Sequence, residues 1–235
     1  TLKGAGMAPQ FVAVAMKSLY APVGVEIPLE GVTLNKQLFD ATAIAKQLGV
    51  LSRSGKPHAH AISAIIAQVD VLARYMKPDF MTIAEDMSYN HGPMLSEELF
   101  NEFIKPYYQR LIPEIKKHGT RVFIDSDGDI TSAVPWFIEA GIDGILPLER
   151  QSGVDVAKIR DLYPDFLMIG SFDKMCMFQG PDAVRREFER LLPVIRSGRY
   201  LPAMDHQTPP GTTLETYRAY ARMLREYGTQ ACKDC

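Results

Sequence analysis

The sequence predicts an α/β fold, a parallel (β/α)8 barrel of the TIM type, and three observations carry that expectation. From residue 77 onward a short apolar run, a polar cluster and an amphipathic helix follow one another repeatedly. Each run is too short and too uniformly apolar for a half-exposed strand, and reads as a strand buried on both faces. Clusters able to do chemistry stand after the runs and ordinary turn residues before them. That is the asymmetry of a barrel whose active groups sit at the carboxyl ends of its strands.

The runs are Phe80–Ala84, Val122-Phe123-Ile124, Gly144–Leu146, 166–169 and 200–203. Between them, Leu99, Phe103, Ile104, Leu111 and Ile115 mark one long helix that Ser96 caps and that Pro106 and Pro113 kink or split. Val134, Phe137 and Ile138 mark a second helix, ended by Gly141. Val156, Ile159 and Leu162 mark a third, stopped by Pro164. A fourth opens at Pro181 and carries Val184, Phe188, Leu191 and Leu192. The last opens on Thr212-x-x-Glu215, a capping box, and closes at Gly228. Alternating strands and helices mean right-handed βαβ units.

Residues 1–76 are less regular, with helical patterns at 36–48 and 59–76 and a candidate strand at 11–16. This gives six or seven strands where a closed barrel needs eight, so an open doubly wound sheet is the alternative fold. No linker or low-complexity stretch divides the chain, which reads as one domain over 1–235: an irregular part to 76, βα units over 77–228 and a tail at 229–235. Thr1 is not a natural start, and the sequence reads as a processed or partial chain.

Composition narrows the function. The 235 residues, 46% hydrophobic, suffice for one sizeable core. A net charge of −2 argues against nucleic acid or an anionic membrane surface as partner. No apolar run approaches the roughly 20 residues that span a bilayer. With no charged-then-apolar leader in view, a cytoplasmic location is expected. Three cysteines fit a reducing compartment better than a disulfide framework. The Cys232-x-x-Cys235 pair lacks the βα context or second pair that a redox or zinc site needs, and reads as a tail.

Five clusters follow the runs. They are Glu85-Asp86-Met87-Ser88-Tyr89-Asn90-His91, Asp125-Ser126-Asp127-Gly128-Asp129, Glu149-Arg150, Asp173-Lys174 and Asp205-His206-Gln207. Asp129 reads as a first-turn acid favoured by a helix dipole. Asp125, at the end of an apolar strand beside other carboxylates, reads as functional. The Asp125-x-Asp127-x-Asp129 triplet lacks the glycine and glutamate that would complete a calcium loop. Glu149 and Arg150 suit either substrate binding or a structural ion pair. His206 follows a strand where a merely packed histidine is unusual, whereas Asn90-His91-Gly92-Pro93 is also good turn chemistry. His58 and His60 read as surface.

These segments together resemble the uroporphyrinogen decarboxylase superfamily. The resemblance is carried by Glu85-Asp86-Met87-Ser88-Tyr89-Asn90-His91-Gly92-Pro93-Met94-Leu95-Ser96 with Leu99-Phe100, Phe103 and Pro106-Tyr107 behind it. Phe123-Ile124-Asp125-Ser126-Asp127-Gly128-Asp129, Pro147-Leu148-Glu149, Ile169-Gly170-Ser171-Phe172-Asp173 and Asp205-His206-Gln207-Thr208-Pro209-Pro210 complete it, over residues 77–228. The resemblance implies one of two chemistries over a barrel mouth that handles a tetrapyrrole. One is cofactor-free decarboxylation of uroporphyrinogen; the other is methyl transfer involving a corrinoid, usually with zinc activating a thiol.

Against decarboxylation, the family's N-terminal arginine motif is absent, and an acid-rich face poorly matches an octa-anion. Against thiolate zinc, the zinc-dependent members carry His-x-Cys where this chain has Asp125-x-Asp127, with a further Cys near Asp205-His206. The expectation is therefore a corrinoid-dependent methyltransferase that takes a methyl group from a small donor, an ether or an amine. His206, Asp125 and Asp127 are its catalytic acid/base or orienting groups, or alternatively the ligands of a divalent metal acting as Lewis acid. Glu85, Asp86, Tyr89, His91, Glu149, Arg150, Asp173 and Asp205 are the substrate-binding candidates. The partners expected are a small methyl donor and a corrinoid protein, or a porphyrinogen; a homodimer is compatible with all of this. Decarboxylation, and a non-catalytic tetrapyrrole-binding role, stand as alternatives.

Overall fold

The computed structural model describes residues 59–231. The elements are α1 (Ala59–Leu72), β1 (Phe80–Ala84), a ribbon of β2 (Ser88–Tyr89) and β3 (Gly92–Pro93), α2 (Glu97–Phe103), α3 (Lys105–Lys116), β4 (Arg121–Asp125) and α4 (Val134–Ala140). There follow β5 (Gly144–Leu146), α5 (Val156–Leu162), β6 (Leu167–Phe172), α6 (Pro181–Arg196), β7 (Tyr200–Met204) and α7 (Leu214–Ala231). The chain forms two compact units, Thr1–Gln68 and Val69–Cys235. The second holds every described strand. The elements expected at 11–16 and 36–48, His58, Cys232 and Cys235 lie outside the described residues. None of the described helices is long and apolar enough to cross a membrane.

All five expected strands form, and they pair in parallel in the order β1-β4-β5-β6-β7. Among the described strands the order does not reverse, whereas the doubly wound alternative is defined by a reversal. The fold is thus α/β with a five-stranded parallel sheet. Its core lies on the face toward the helices. Ile83, Ile124, Ile145 and Met168 share one rung, and the last three are buried. Each such side chain contributes about 1.5–3 kcal/mol by leaving water. Behind the rung, Phe100 of α2 meets Phe137 of α4 edge-on at 5.9 Å. Phe172 of β6 stacks among Phe188 and Tyr220 of α6 and α7, at 4.8 and 4.9 Å.

Helix boundaries follow local chemistry, with three corrections. The helix expected from Ser96 is split at Pro106 as expected, into α2 and α3 parted at Ile104, but Pro113 sits inside α3 without ending it. Ser96 does cap, accepting from the Leu99 amide at 3.3 Å. The cap of α7 is Thr213, which accepts from the Thr216 amide at 3.2 Å, while the Thr212 hydroxyl donates to the Pro209 carbonyl instead. That helix runs through Gly228, where a glycine costs only about 1 kcal/mol, on from buried Met223 and Tyr227. Gly141 ends α4 as expected, in the left-handed conformation (φ 96°).

Candidate active site at the carboxyl ends of the strands

The carboxyl ends of four of the five strands, β1, β4, β5 and β7, meet at one cleft of about 410 Å³, lined by Asp86, Asp125, Asp127, Pro147, Met204, His206 and Gln207. Sheet pairing puts them there. The Ala84–Asp125–Leu146 rung ends three strands together, and the Glu85 amide extends it by donating to the Asp125 carbonyl at 2.9 Å. Ser126, fully buried, turns the chain inward and accepts from the Met87 amide at 3.0 Å. Gly128 (φ 81°) then lets the β2–β3 ribbon lie flat against it, since a Cβ there would stand 2.7 Å from the Tyr89 backbone.

Three non-glycine residues at this end hold left-handed backbone: Asp86 (φ 44°), Leu148 (φ 61°) and Ser171 (φ 61°). A buried leucine and a buried serine in that conformation carry strain of about 1–3 kcal/mol each, of the kind that gathers at functional sites. Leu148 in that conformation delivers Glu149 to the site. The Glu149 carboxylate accepts from the Gly128 amide at 2.9 Å, and its other oxygen lies 3.5 Å from the Lys174 ammonium. The His206 Nε2 stands 3.5 Å from Asp127 Oδ2.

Charge crowding marks the cleft. Burial, then Asp127 and Asp86, push the Asp125 pKa up, against an opposing pull from His206. Burial, then Glu149, push the Asp127 pKa up, with His206 pulling it down. A carboxyl whose folded pKa lies above its unfolded value costs nothing below the unfolded value, and that cost grows as pH rises through the folded one. Asp125→Asn should therefore raise the midpoint of thermal unfolding measured in chelator, by a margin that widens from pH 4 toward neutrality. A constant margin across that range would contradict the crowding.

Several expected site residues play other parts. Asp205 is fully buried and accepts from the backbone amides of Arg150 (2.9 Å) and Lys174 (3.4 Å), with the Lys174 ammonium at 3.6 Å. It ties the loops after β5 and β6 rather than facing substrate. Asp205→Ala, which orphans both amides, should cost about 2–4 kcal/mol in chemical denaturation, while Asp205→Asn recovers part of that loss. Asp173 caps the turn after β6, accepting from the Met175 amide at 2.8 Å. Arg150 directs its guanidinium back to the Val154 carbonyl at 3.4 Å. Glu85 lies beside the buried Tyr108 hydroxyl, whose pKa is pushed up by burial and by that carboxylate. Tyr89 and His91 are exposed on the ribbon and do not line the cleft. Asp129 is not the first-turn acid expected of it: it accepts from the Thr131 amide at 3.0 Å in a turn, and α4 begins only at Val134 with no acid in its first turn.

Among the described residues one group of side chains is close enough together to hold a metal ion. Single donor atoms of Asp127, Glu149 and His206 lie within 4.8 Å of one another. Glu149 takes the place that the sequence had suggested for Asp125. Among the described residues no thiolate joins this group: Cys176 is buried outside it, its thiol pKa pushed up to about 12 chiefly by burial.

A parallel α/β sheet whose strand ends gather carboxylates and a histidine in one cleft is the build of an enzyme scaffold. Residues 61–227 match the family model described as uroporphyrinogen decarboxylase (URO-D), and the chain belongs to that family. No curated protein matches it significantly.

Proposed function

We propose that this chain is a URO-D family methyltransferase that takes a methyl group from a small methylated donor and passes it to a corrinoid carried by a partner protein. One observation carries this reading: among the described residues, three carboxylates line the cleft, and no lysine or arginine does. Porphyrinogen carboxylates would meet like charge there, at a cost of kilocalories each. A small ether or protonated amine meets none. Family membership implies that the five strands are consecutive staves of an eight-stranded barrel with this cleft at its mouth.

The corrinoid supplies the nucleophile: its cobalt forms a bond to the methyl carbon as the bond from carbon to the donor heteroatom breaks. The heteroatom leaves with that electron pair. The chain's residues bind the donor and stabilise the charge on this leaving atom. His206 and Asp125 face the cleft beside it, with Asp127 and Asp86 completing the wall. Met204 and Pro147 give the cleft its apolar lining. The test sets both chemistries side by side, supplying uroporphyrinogen alone or a methyl donor with a reduced corrinoid. Donor-dependent methylation of the corrinoid without coproporphyrinogen is expected. Coproporphyrinogen formation would overturn the reading in favour of decarboxylation, and tetrapyrrole binding without either product would favour a non-catalytic role.

A further inference from the structure

We propose that Asp127, Glu149 and His206 bind one divalent cation through oxygen and nitrogen alone, in the place where a thiolate site would be expected of a corrinoid methyltransferase. The inference rests on the reading above for its purpose, but not for its test. Two carboxylates and an imidazole bring their donor atoms within 4.8 Å of one another from the ends of three different strands, β4, β5 and β7. That donor set, with no sulfur in it, suits manganese, iron, cobalt, nickel or zinc, and gives no preference to the soft ions that thiolates select.

The group is also held from behind, as ligating carboxylates are. Glu149 Oε2 accepts from the Gly128 amide at 2.9 Å and from the Ser152 hydroxyl at 3.3 Å, fixing the carboxylate's plane. Leu148 keeps a left-handed backbone immediately before it, so the direction of Glu149 is imposed by the fold. Asp127 and His206 line the cleft, so a bound cation would keep open positions on the substrate side. When bound, the cation would supply a Lewis acid for the donor heteroatom. Lys174, 3.5 Å from Glu149, is the cation with which it would share that carboxylate. Buried Asp205, at 3.6 Å, gives the ammonium a second partner.

The experiment titrates Co²⁺ into the metal-stripped full chain, with no corrinoid or donor present, and reads the visible d–d absorption. One equivalent should bind without the intense near-ultraviolet band of cobalt–thiolate bonding. Asp127→Asn, Glu149→Gln and His206→Ala should each weaken binding tenfold or more with thermal unfolding preserved, whereas Lys174→Met should leave it equal or tighter. A Cys232→Ser/Cys235→Ser variant should bind as the wild type does. The proposal is overturned by no d–d signal, by binding that survives all three site substitutions, or by binding lost with the tail cysteines. Methyl transfer by a protein that binds no Co²⁺ would sink this inference and leave the methyltransferase reading standing; Co²⁺ binding without methyl transfer would do the reverse.

Discussion

Gly170→Ala should leave little folded protein, with any soluble fraction destabilised by more than about 4 kcal/mol. Gly170 lies in β6 at φ 120°, and a Cβ there would stand 1.6 Å from the Pro147 carbonyl oxygen. That oxygen belongs to backbone, and it accepts from the Ser171 amide at 3.0 Å, so it cannot swing aside. The Gly170 carbonyl is itself held, accepting from the Tyr200 hydroxyl at 2.7 Å. Gly153 provides the control. It too is left-handed (φ 92°), yet nothing lies within 4 Å of its would-be Cβ. Gly153→Ala should cost only the conformational penalty of about 1 kcal/mol. Equal losses at the two sites, measured by denaturant unfolding, would show that the close approach of β6 to Pro147 is not what Gly170 secures.

His206→Ala should lower the rate of methyl transfer about 10²- to 10⁴-fold, the range over which a positioned acid or base contributes. Asp127→Asn should follow it, because the two side chains face each other at 3.5 Å. Neither change should reduce stability by more than about 0.5 kcal/mol, since His206 faces solvent and its one described ion pair is with Asp127. The discriminating signature is activity lost with unfolding unchanged. A parallel loss of both would mean that the pair supports the loop after β7. Full activity in both variants would remove them from the chemistry.

What the sequence revealed and what it hid have separate physical causes. The five strands were legible because Val122, Ile124, Ile145 and Met168 are apolar where a parallel sheet is covered by helices. The cleft was legible in part: Asp86, Asp125, Asp127 and His206 line it, while Asp129, Asp173 and Asp205 of the same clusters hold turns and loops. Partnerships were not. Glu149 stands beside Arg150 in sequence, yet Arg150 opens a 3-10 turn that turns its guanidinium to the Val154 carbonyl, and Glu149 finds Lys174 from the end of β6. Asp205 carries the same residue type as the cleft acids, but one position along the chain separates a buried acceptor of two amides from an exposed histidine. The β2–β3 ribbon has two residues per strand, too few for any periodicity, so Tyr89 and His91 gave no sign of pointing away from the cleft.

The most direct measurement is anaerobic incubation of the chain with cob(I)alamin and a panel of methoxylated and N-methylated donors, following the corrinoid spectrum. Methylcob(III)alamin is expected with at least one donor, dependent on enzyme and abolished in His206→Ala. No donor-dependent spectral change across the panel, together with conversion of uroporphyrinogen by the same preparation, would contradict this expectation.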